Sequence, residues 1–94
     1  MTFLKVYLMR KIEVTKTARK HLKHFKSDQA VTQKIKKLIQ AIQQDPFEGI
    51  GKPEALKYNF QGYWSRRINL EHRLVYEVKD DCIIIISCKG HYDG

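Results

Sequence analysis

Four side chains in the second half of the sequence could together perform acid–base chemistry on a phosphate. They are Glu54 of "GKPEALK", Arg67 of "WSRRI", Arg73 of "EHRLVY" and His91 of the terminal "HYDG". A carboxylate and an imidazole can act as general base and general acid, and guanidinium groups match the oxygens of a phosphate. Cleaving RNA with the neighbouring 2′-hydroxyl needs one base, one acid and fixed positive charge, and this reaction requires no metal ion.

The two arginines lie symmetrically about Leu70 in a predicted hairpin. If the connecting loop has an odd number of residues centred there, Arg67 and Arg73 are directly opposite each other. Like charges in that arrangement destabilise a sheet, and a phosphate between them would offset the repulsion. A shifted register, or neutralisation by Glu71 or Glu77, explains the sequence equally well.

The same residues also have ordinary explanations. Taken singly, Glu54 is a solvated loop glutamate and His91 is an exposed histidine near the end of the chain. His21 and His24 are one helical turn apart, and Cys88-x-x-His91 resembles half of a metal site. Neither set has a second half at zinc spacing, so we expect no metal ion and no cofactor.

The composition indicates one globular domain, spanning residues 1–94. The chain has 94 residues, of which 43% are hydrophobic and 30% charged, which suffices for one domain and not for two. Eighteen Lys and Arg residues against ten Asp and Glu residues give a formal net charge of +8. This excess favours an anionic partner, such as nucleic acid, a membrane surface or an acidic protein. Basic side chains that only confer solubility are the other explanation.

The sequence favours a cytoplasmic protein. It has no apolar run of the roughly 18 residues that a membrane span needs, and its first residues are interrupted by Lys5 and lack a small-residue cleavage site. Residues 1–8 are expected to be a flexible N-terminal extension. Cys82 and Cys88 are predicted on one face of one strand about 20 Å apart, too far for a disulfide. Free cysteines fit a reducing cytoplasm.

Hydrophobic periodicity predicts a strand and two helices in the first half of the chain. "RKIEVT" alternates apolar and charged residues as a strand does. A helical stripe follows from Lys16, and Ser27 and Asp28 can cap a second helix that ends at the Asp45–Pro46 step. The apolar residues of the two stripes are Ala18, Leu22 and Phe25, then Val31, Ile35, Leu38, Ile39 and Ile42.

The second half is predicted to be a loop followed by strands. Residues 46–62 hold both prolines and three of the five glycines, which indicates a loop with a short strand near Leu56. "YWSRRIN", "RLVYEV" and "CIIIISC" then predict an antiparallel meander whose apolar last strand is central. The predicted fold class is α+β, with two N-terminal helices packed on one face of a mainly antiparallel β-sheet.

The second half of the chain also resembles a known family. "DPFEGIGKPEALKYNFQGYWSRRINLEHRLVYEV", followed by "SCKGHY", is similar to the YoeB (Txe/YoeB) toxins, a branch of the RelE-like toxins of bacterial type II toxin–antitoxin systems. The similarity covers Pro46–Tyr92 with the motifs in the same order and spacing. The first half matches only in its strand–helix–helix pattern. The resemblance implies a RelE-like, microbial ribonuclease-like fold.

The resemblance implies a ribosome-dependent endoribonuclease, an mRNA interferase. Such a toxin cleaves mRNA in the ribosomal A site, leaves a 2′,3′-cyclic phosphate and so inhibits translation. By motif, Glu54 would be the general base and His91 the general acid. Arg73 and Arg67 would stabilise the phosphoryl charge, and Tyr92 would orient the histidine or the substrate. Basic side chains expected to assist or to bind RNA phosphate are Lys52, Lys57, Arg66 and Lys89.

The resemblance also implies partners. They are an acidic, YefM-like antitoxin, the ribosome with its mRNA and, in the free toxin, a second copy in a homodimer; no membrane is involved. The sequence departs from the family pattern in three places near its end. Lys89 stands where an arginine is usual, Gly90 stands where a bulky residue is common, and Asp93–Gly94 extend past a tyrosine that often ends the chain.

Two other hypotheses remain. A non-catalytic toxin of the same fold would block its target by occupancy, as the gyrase inhibitors among RelE-like folds do. A basic RNA-binding domain would act on free RNA without ribosomes. The presence of both Glu54 and His91 favours the enzyme over the non-catalytic toxin.

Overall fold

A computed structural model describes residues 9–90. The predictions made for residues 1–8, for His91 and Tyr92 and for the Asp93–Gly94 tail lie outside the described residues. Within 9–90 the predicted order of elements is confirmed, including a two-residue strand just before Leu56. The elements are β1 (Lys11–Val14), α1 (Lys16–His24), α2 (Gln29–Gln44), β2 (Glu54–Ala55), a 3₁₀ turn (Tyr58–Phe60), β3 (Tyr63–Arg67), β4 (Arg73–Val78) and β5 (Cys82–Ser87).

Side chains fix where both helices begin. The Thr15 hydroxyl accepts a hydrogen bond from the Ala18 backbone N–H at 3.0 Å, and Asp28 Oδ1 accepts one from Val31 N–H at 3.1 Å. These contacts satisfy amides that have no partner within the helix, and the second was predicted. α2 ends at Asp45, which is extended because a proline follows. Within residues 9–90 neither helix is long and apolar enough to cross a membrane.

The five strands form one sheet in the order β1-β5-β4-β3-β2. β3, β4 and β5 make the predicted antiparallel meander. β5 is paired on both sides, as expected for an apolar strand, and its second partner is β1. That pair is parallel, with Ile12 opposite Ile83, so the sheet is mixed. The intervening helices supply the long connection that parallel neighbours need.

One face of the sheet packs against both helices. The predicted stripes supply the helix side of this core, with Leu38 and Ile42 completely buried. Leu74 and Tyr76 of β4 are equally buried on the sheet side, and Leu22 and Ile39 pack at the margin. Each buried aliphatic side chain contributes about 1.5–3 kcal/mol. The core therefore fixes the sheet against the helices.

The opposite face of the sheet, here called the reverse face, carries several polar residues of the strands. Residues paired across neighbouring strands point to the same side, and so do residues two apart along one strand. A row runs from Glu54 through Ser65 and Val75 to Ser87, and Arg67 pairs with Arg73 on the same side. The reverse-face residues used below are Glu54, Ser65, Arg67, Arg73, Val75 and Ser87.

A β-bulge interrupts the alternation of β5. Tyr76 pairs with Ile85, but the next residue of β4, Val75, pairs with Ser87, so Ile86 has no partner in β4. One extra residue in a strand shifts every later side chain to the other face. Ile85 therefore faces the helices, whereas Ser87 lies on the reverse face.

The bulge corrects one prediction about the cysteines. Both thiols are free, as predicted. Cys88 belongs to the core cluster beside Ile85, whereas Cys82 precedes the core residue Ile83 and points away from the helices. The prediction that the two cysteines share a face was wrong, because it assumed strict alternation along the strand.

Candidate active site

Two arginines face each other across the β3–β4 hairpin. Arg67 and Arg73 are direct partners in the register, as the spacing about Leu70 predicted. Arg67 is exposed and Arg73 is half-buried. Arg73 Nη1 donates to the Asn69 carbonyl at 3.1 Å. Like charges placed this way cost a few tenths of a kcal/mol or more, so an anion bound between them would stabilise the hairpin.

No carboxylate within residues 9–90 neutralises this pair. Glu77 forms an ion pair with Lys79 at 3.9 Å. Glu71 is exposed in the connecting loop, and its backbone N–H donates to Asn69 Oδ1 at 2.9 Å. Neither a shifted register nor neutralisation therefore accounts for the arginine pair in the described part of the chain.

The loop between the arginines is held by one side chain. Asn69 Oδ1 accepts the backbone N–H groups of Glu71, at 2.9 Å, and of His72, at 2.8 Å. The Ile68 N–H also donates to the His72 carbonyl at 3.0 Å. Asparagine commonly closes turns in this way. The hairpin thus has a fixed end, which keeps the two arginines in register.

Glu54 lies on the reverse face, one strand away from the arginine pair. It is exposed and pairs with Ser65, which is two residues before Arg67 on β3. Diagonal neighbours of this kind are about 7–8 Å apart, within reach of long side chains. The structure therefore places Glu54 on the same face as both arginines, diagonal to Arg67 and two strands from Arg73. A carboxylate beside two guanidinium groups can accept a proton next to a bound anion.

Three lysines predicted to bind RNA are exposed around these residues. Lys52 and Lys57 flank Glu54 in the chain, and Lys89 follows β5. Lys52 has a positive φ of 56°, a conformation uncommon for residues other than glycine. The turns on both sides of β2 thus carry positive charge next to the carboxylate.

Arg66 corrects a second prediction. It was expected to bind phosphate, but it is fully buried on the helix side of the sheet. Its Nε donates to the Tyr76 hydroxyl at 3.0 Å. Its two terminal nitrogens donate to the carbonyls of Ile50 at 3.1 Å, Asp45 at 2.6 Å and Glu48 at 3.0 Å. The guanidinium is occupied by main-chain oxygens, so the prediction was wrong. Alternation with its exposed neighbour could have revealed this.

Arg66 instead shapes the loop that leads to Glu54. Its carbonyl partners lie in residues 45–50, and the Tyr76 hydroxyl donates to the Pro46 carbonyl at 2.7 Å. The chain passes so close that a Cβ on Gly49 would lie 3.0 Å from Arg66 Nη1. The Gly51 carbonyl then accepts the Arg67 N–H at 2.6 Å. The loop is therefore fastened to β3 just before it supplies the carboxylate.

Two histidines that the sequence did not single out as site residues hold the end of the described chain. His21 Nδ1 accepts the Cys88 N–H at 3.1 Å, and His72 Nδ1 accepts the Gly90 N–H at 3.0 Å. The Gly90 carbonyl accepts the Arg73 N–H at 3.0 Å. The chain is thus anchored beside Arg73, one residue before His91. The contact partners lie far apart in the sequence, so no local pattern indicates them.

The cysteine at this end is not a nucleophile. Burial raises the pKa of the Cys88 thiol to about 11, so the thiol stays protonated near neutral pH. Thiolate, not thiol, is the reactive form of cysteine. Cys88 therefore acts as a small apolar core residue.

Comparison with known proteins agrees with this arrangement. A family model described as "YoeB-like toxin of bacterial type II toxin-antitoxin system" matches residues 14–92. The chain belongs to the YoeB toxin family. A curated relative, Toxin YoeB of Synechocystis, is 59% identical over 66 residues, which cover 70% of this chain and 77% of that protein.

Solved structures of YoeB toxins share the fold. The YoeB dimer from Staphylococcus aureus superposes with a TM-score of 0.83 at 48% identity, covering 89% of this chain and 99% of that one. YoeB in the heterotetrameric YoeB–YefM complex from the same organism gives a TM-score of 0.81 at 48% identity, covering 88% and 98%. The chain is thus a YoeB-family toxin of a type II toxin–antitoxin system, with the RelE-like fold that the sequence predicted.

Proposed function

We propose that this YoeB-family toxin is a ribosome-dependent endoribonuclease that cleaves mRNA in the ribosomal A site and so stops translation in the cytoplasm. The observation that carries the proposal is the direct pairing of Arg67 with Arg73 on the same sheet face as Glu54. Opposed cations beside a carboxylate suit a phosphodiester whose own hydroxyl is the nucleophile.

In the proposed reaction Glu54 accepts the proton of the 2′-hydroxyl, and the 2′-oxygen attacks phosphorus. The bond from phosphorus to the 5′-oxygen breaks, and His91 donates a proton to that oxygen. The products are a 2′,3′-cyclic phosphate and a 5′-hydroxyl. Acid–base catalysis of this kind contributes about 10²- to 10⁴-fold for each group, and the chemistry needs no metal ion.

The cations have two proposed tasks. Arg67 and Arg73 stabilise the charge that gathers on the phosphoryl oxygens during attack, since guanidinium groups can donate two parallel hydrogen bonds. Lys52, Lys57 and Lys89 hold the RNA strand through its phosphates. Tyr92 is proposed to orient His91 or the substrate.

The test is primer extension on ribosome-bound mRNA with Glu54→Ala, Arg73→Ala and His91→Ala. Each change should lower the cleavage rate by about 10²-fold or more. Arg19→Ala, which removes an exposed arginine from α1, is the matched control and should cleave normally.

Three results would contradict the proposal. Cleavage by all three variants at the rate of the parent would overturn the assigned roles. Translation arrest without a cut transcript would indicate inhibition by occupancy. Cleavage of free RNA at the same rate as ribosome-bound RNA would indicate an enzyme that does not need the ribosome.

The partners are proposed from charge and from the relatives. The Staphylococcus aureus relatives were solved as a YoeB dimer and as a YoeB–YefM complex, and a net charge of +8 suits an acidic antitoxin. We expect the free chain to have the mass of two copies in light scattering. We also expect a small acidic protein encoded by the neighbouring reading frame to form a complex that abolishes cleavage. A monomeric free chain, or a neighbouring protein that does not bind, would contradict these expectations.

A further inference from the structure

The last described segment of the chain is held from two sides by imidazole rings. His21 lies in the last turn of α1 and accepts the Cys88 N–H. His72 ends the β3–β4 loop and accepts the Gly90 N–H. The two hydrogen bonds are two residues apart on the segment 88–90, here called the exit segment. Side chains from a helix and from a loop thus each accept one hydrogen bond from the same short stretch of backbone.

The ring of His72 is itself held by packing. Phe25, which is buried, meets it edge to face with ring centroids 4.9 Å apart. The ring of His24 also contacts Phe25, with ring centroids 5.0 Å apart. Among the described hydrogen bonds, His24 accepts no backbone N–H. The acceptor nitrogen of His72 therefore has a fixed position, whereas the exposed His24 contacts the same phenylalanine without an anchoring bond.

We infer that His21 and His72 are positioning residues that fix the direction in which the chain leaves Gly90 towards His91, and that protonation of a ring breaks that ring's hydrogen bond to the exit segment. The inference about catalysis rests on the proposed role of His91. The anchoring itself rests only on contacts within residues 9–90.

The chemistry of imidazole makes the anchoring sensitive to pH. A neutral ring accepts at one nitrogen and donates at the other, so both rings must carry their proton on Nε2 here. A protonated ring donates at both nitrogens. Its Nδ1–H would then face the backbone N–H of Cys88 or Gly90, and the hydrogen bond would be replaced by repulsion. Each of the two hydrogen bonds consequently persists only while its own ring is neutral.

The surroundings keep His21 neutral near pH 7. Its pKa lies below the ordinary value of 6.5 because of burial and then because of Lys89, His24 and His72. These groups come from the exit segment, from its own helix and from the β3–β4 loop. His72 is close enough to His21 to influence it electrostatically, and its chain neighbours Glu71 and Arg73 are also ionisable. Release of the exit segment at His21 therefore needs a pH below about 6.5.

Selective labelling tests the anchoring without any assay of activity. Labelling the full chain with ¹⁵N-cysteine gives two backbone amide signals, and Cys82 serves as an internal reference for Cys88. Between pH 8 and 5 the Cys88 signal should shift and its hydrogen exchange should rise by about 2- to 10-fold beyond the intrinsic change, the effect of losing one hydrogen bond. The Cys82 amide should show neither effect. Identical pH dependence of both amides would overturn the anchoring.

Substitutions at His21 distinguish the loss of its hydrogen-bond acceptor from a general effect on folding. In His21→Asn the Oδ1 atom takes the place of Nδ1 and accepts without titrating, so the Cys88 signal should become independent of pH. His21→Leu has no acceptor and should show the released signal at every pH. His24→Asn is the matched control: its Cys88 signal should still titrate, with a midpoint no lower than that of the parent, because His24 lowers the pKa of His21. A His21→Asn chain that still titrates would overturn the inference.

The pH dependence of ribosome-dependent cleavage tests whether the anchoring affects catalysis. The parent should lose cleavage as the pH falls below about 6.5, and His21→Asn should retain about 2- to 10-fold more activity than the parent at pH 5.5. The same acidic loss in parent and variant would overturn the positioning role. Amide titration in a chain that cleaves at no pH would support the anchoring and overturn the proposed function.

Discussion

Arg66 and Arg67 are neighbours in the chain but lie in opposite environments. Arg66 is fully buried and makes four hydrogen bonds through its guanidinium. Arg67 is exposed on the reverse face opposite Arg73. Successive side chains of a strand point to opposite faces. Arg66 therefore stabilises the folded structure, whereas Arg67 is free to bind an anion.

This contrast predicts different effects of the same substitution. Arg66→Lys should lower the free energy of unfolding by at least about 2 kcal/mol, because an ammonium cannot reach all the main-chain oxygens and a buried oxygen left unpaired costs about 1–3 kcal/mol. Arg67→Lys is the matched control and should change it by less than about 0.5 kcal/mol. Urea unfolding of both variants measures the difference, and equal losses would contradict the assignment.

The spacing of the arginines allowed one of these environments to be predicted. The opposition of Arg67 and Arg73 follows from an odd loop centred on Leu70, because loop length sets the register of a hairpin. The burial of Arg66 depends on carbonyls of Ile50 and Asp45, which are 16 and 21 residues away in the chain. Alternation with Arg67 could indicate that Arg66 faces the core, but no local pattern shows which carbonyls it binds.

At the scale of elements, the loop between α2 and β2 is fixed by specific contacts with the core and with β3. Gly51 has a φ of +85°, and a Cβ there would lie 2.7 Å from Leu38 Cδ2 and 3.1 Å from Arg66 Cβ. Glycine is thus required for two reasons, conformation and close approach. This close contact seats the loop on the core three residues before Glu54.

Alanine substitutions at Gly51 and Gly62 distinguish the cost of backbone conformation from the cost of close approach. Gly62→Ala places a Cβ in open space at a φ of +99° and should cost about 1–3 kcal/mol for backbone conformation alone. Gly51→Ala should cost about 1–3 kcal/mol more, because the new methyl group overpacks the core. Thermal unfolding of the two variants measures the difference. Equal destabilisation would show that the loop can move away from Leu38.

Most elements could be predicted because their signals are local. The cap at Asp28 and the helix end before Pro46 are set by adjacent residues. The parallel pairing of β1 with β5 and the bulge at Ile86 depend on how distant strands meet. The sheet is mainly antiparallel, as predicted, but its parallel pair was not predicted, and the two cysteines were wrongly placed on one face.

At the scale of the whole molecule, positive charge covers both sides of the sheet. The arginine pair lies on the reverse face, whereas a larger group of exposed cations lies on the outer sides of the helices. The sign of the charge could be predicted from composition, but its distribution required the fold. The exposed helix cations are Lys16, Arg19, Lys20, Lys23, Lys36 and Lys37.

The stability of the whole fold should depend on pH through His21. Its pKa is lower in the folded chain than the ordinary 6.5, so the unfolded chain binds protons more readily. The stability that this ring contributes is present above pH 6.5 and is lost as the pH falls through the lower folded pKa. Urea unfolding at pH 7.5, 6.5 and 5.5 should show a declining free energy, with a smaller decline in His21→Asn. An unchanged slope in that variant would contradict the assignment.

The bulge at Ile86 gives β5 a position where the chain could be one residue shorter. Removing that residue would leave Tyr76 opposite Ile85 and Val75 opposite Ser87, now as consecutive pairs of a regular ladder. A sequence comparison that assigned a gap elsewhere in the isoleucine run would exchange core and reverse-face residues. Because residues 83–86 are all isoleucine, removing any one of them gives the same polypeptide. We therefore expect a chain with one isoleucine fewer to lose the bulge and to keep Ser87 on the reverse face and Cys88 in the core.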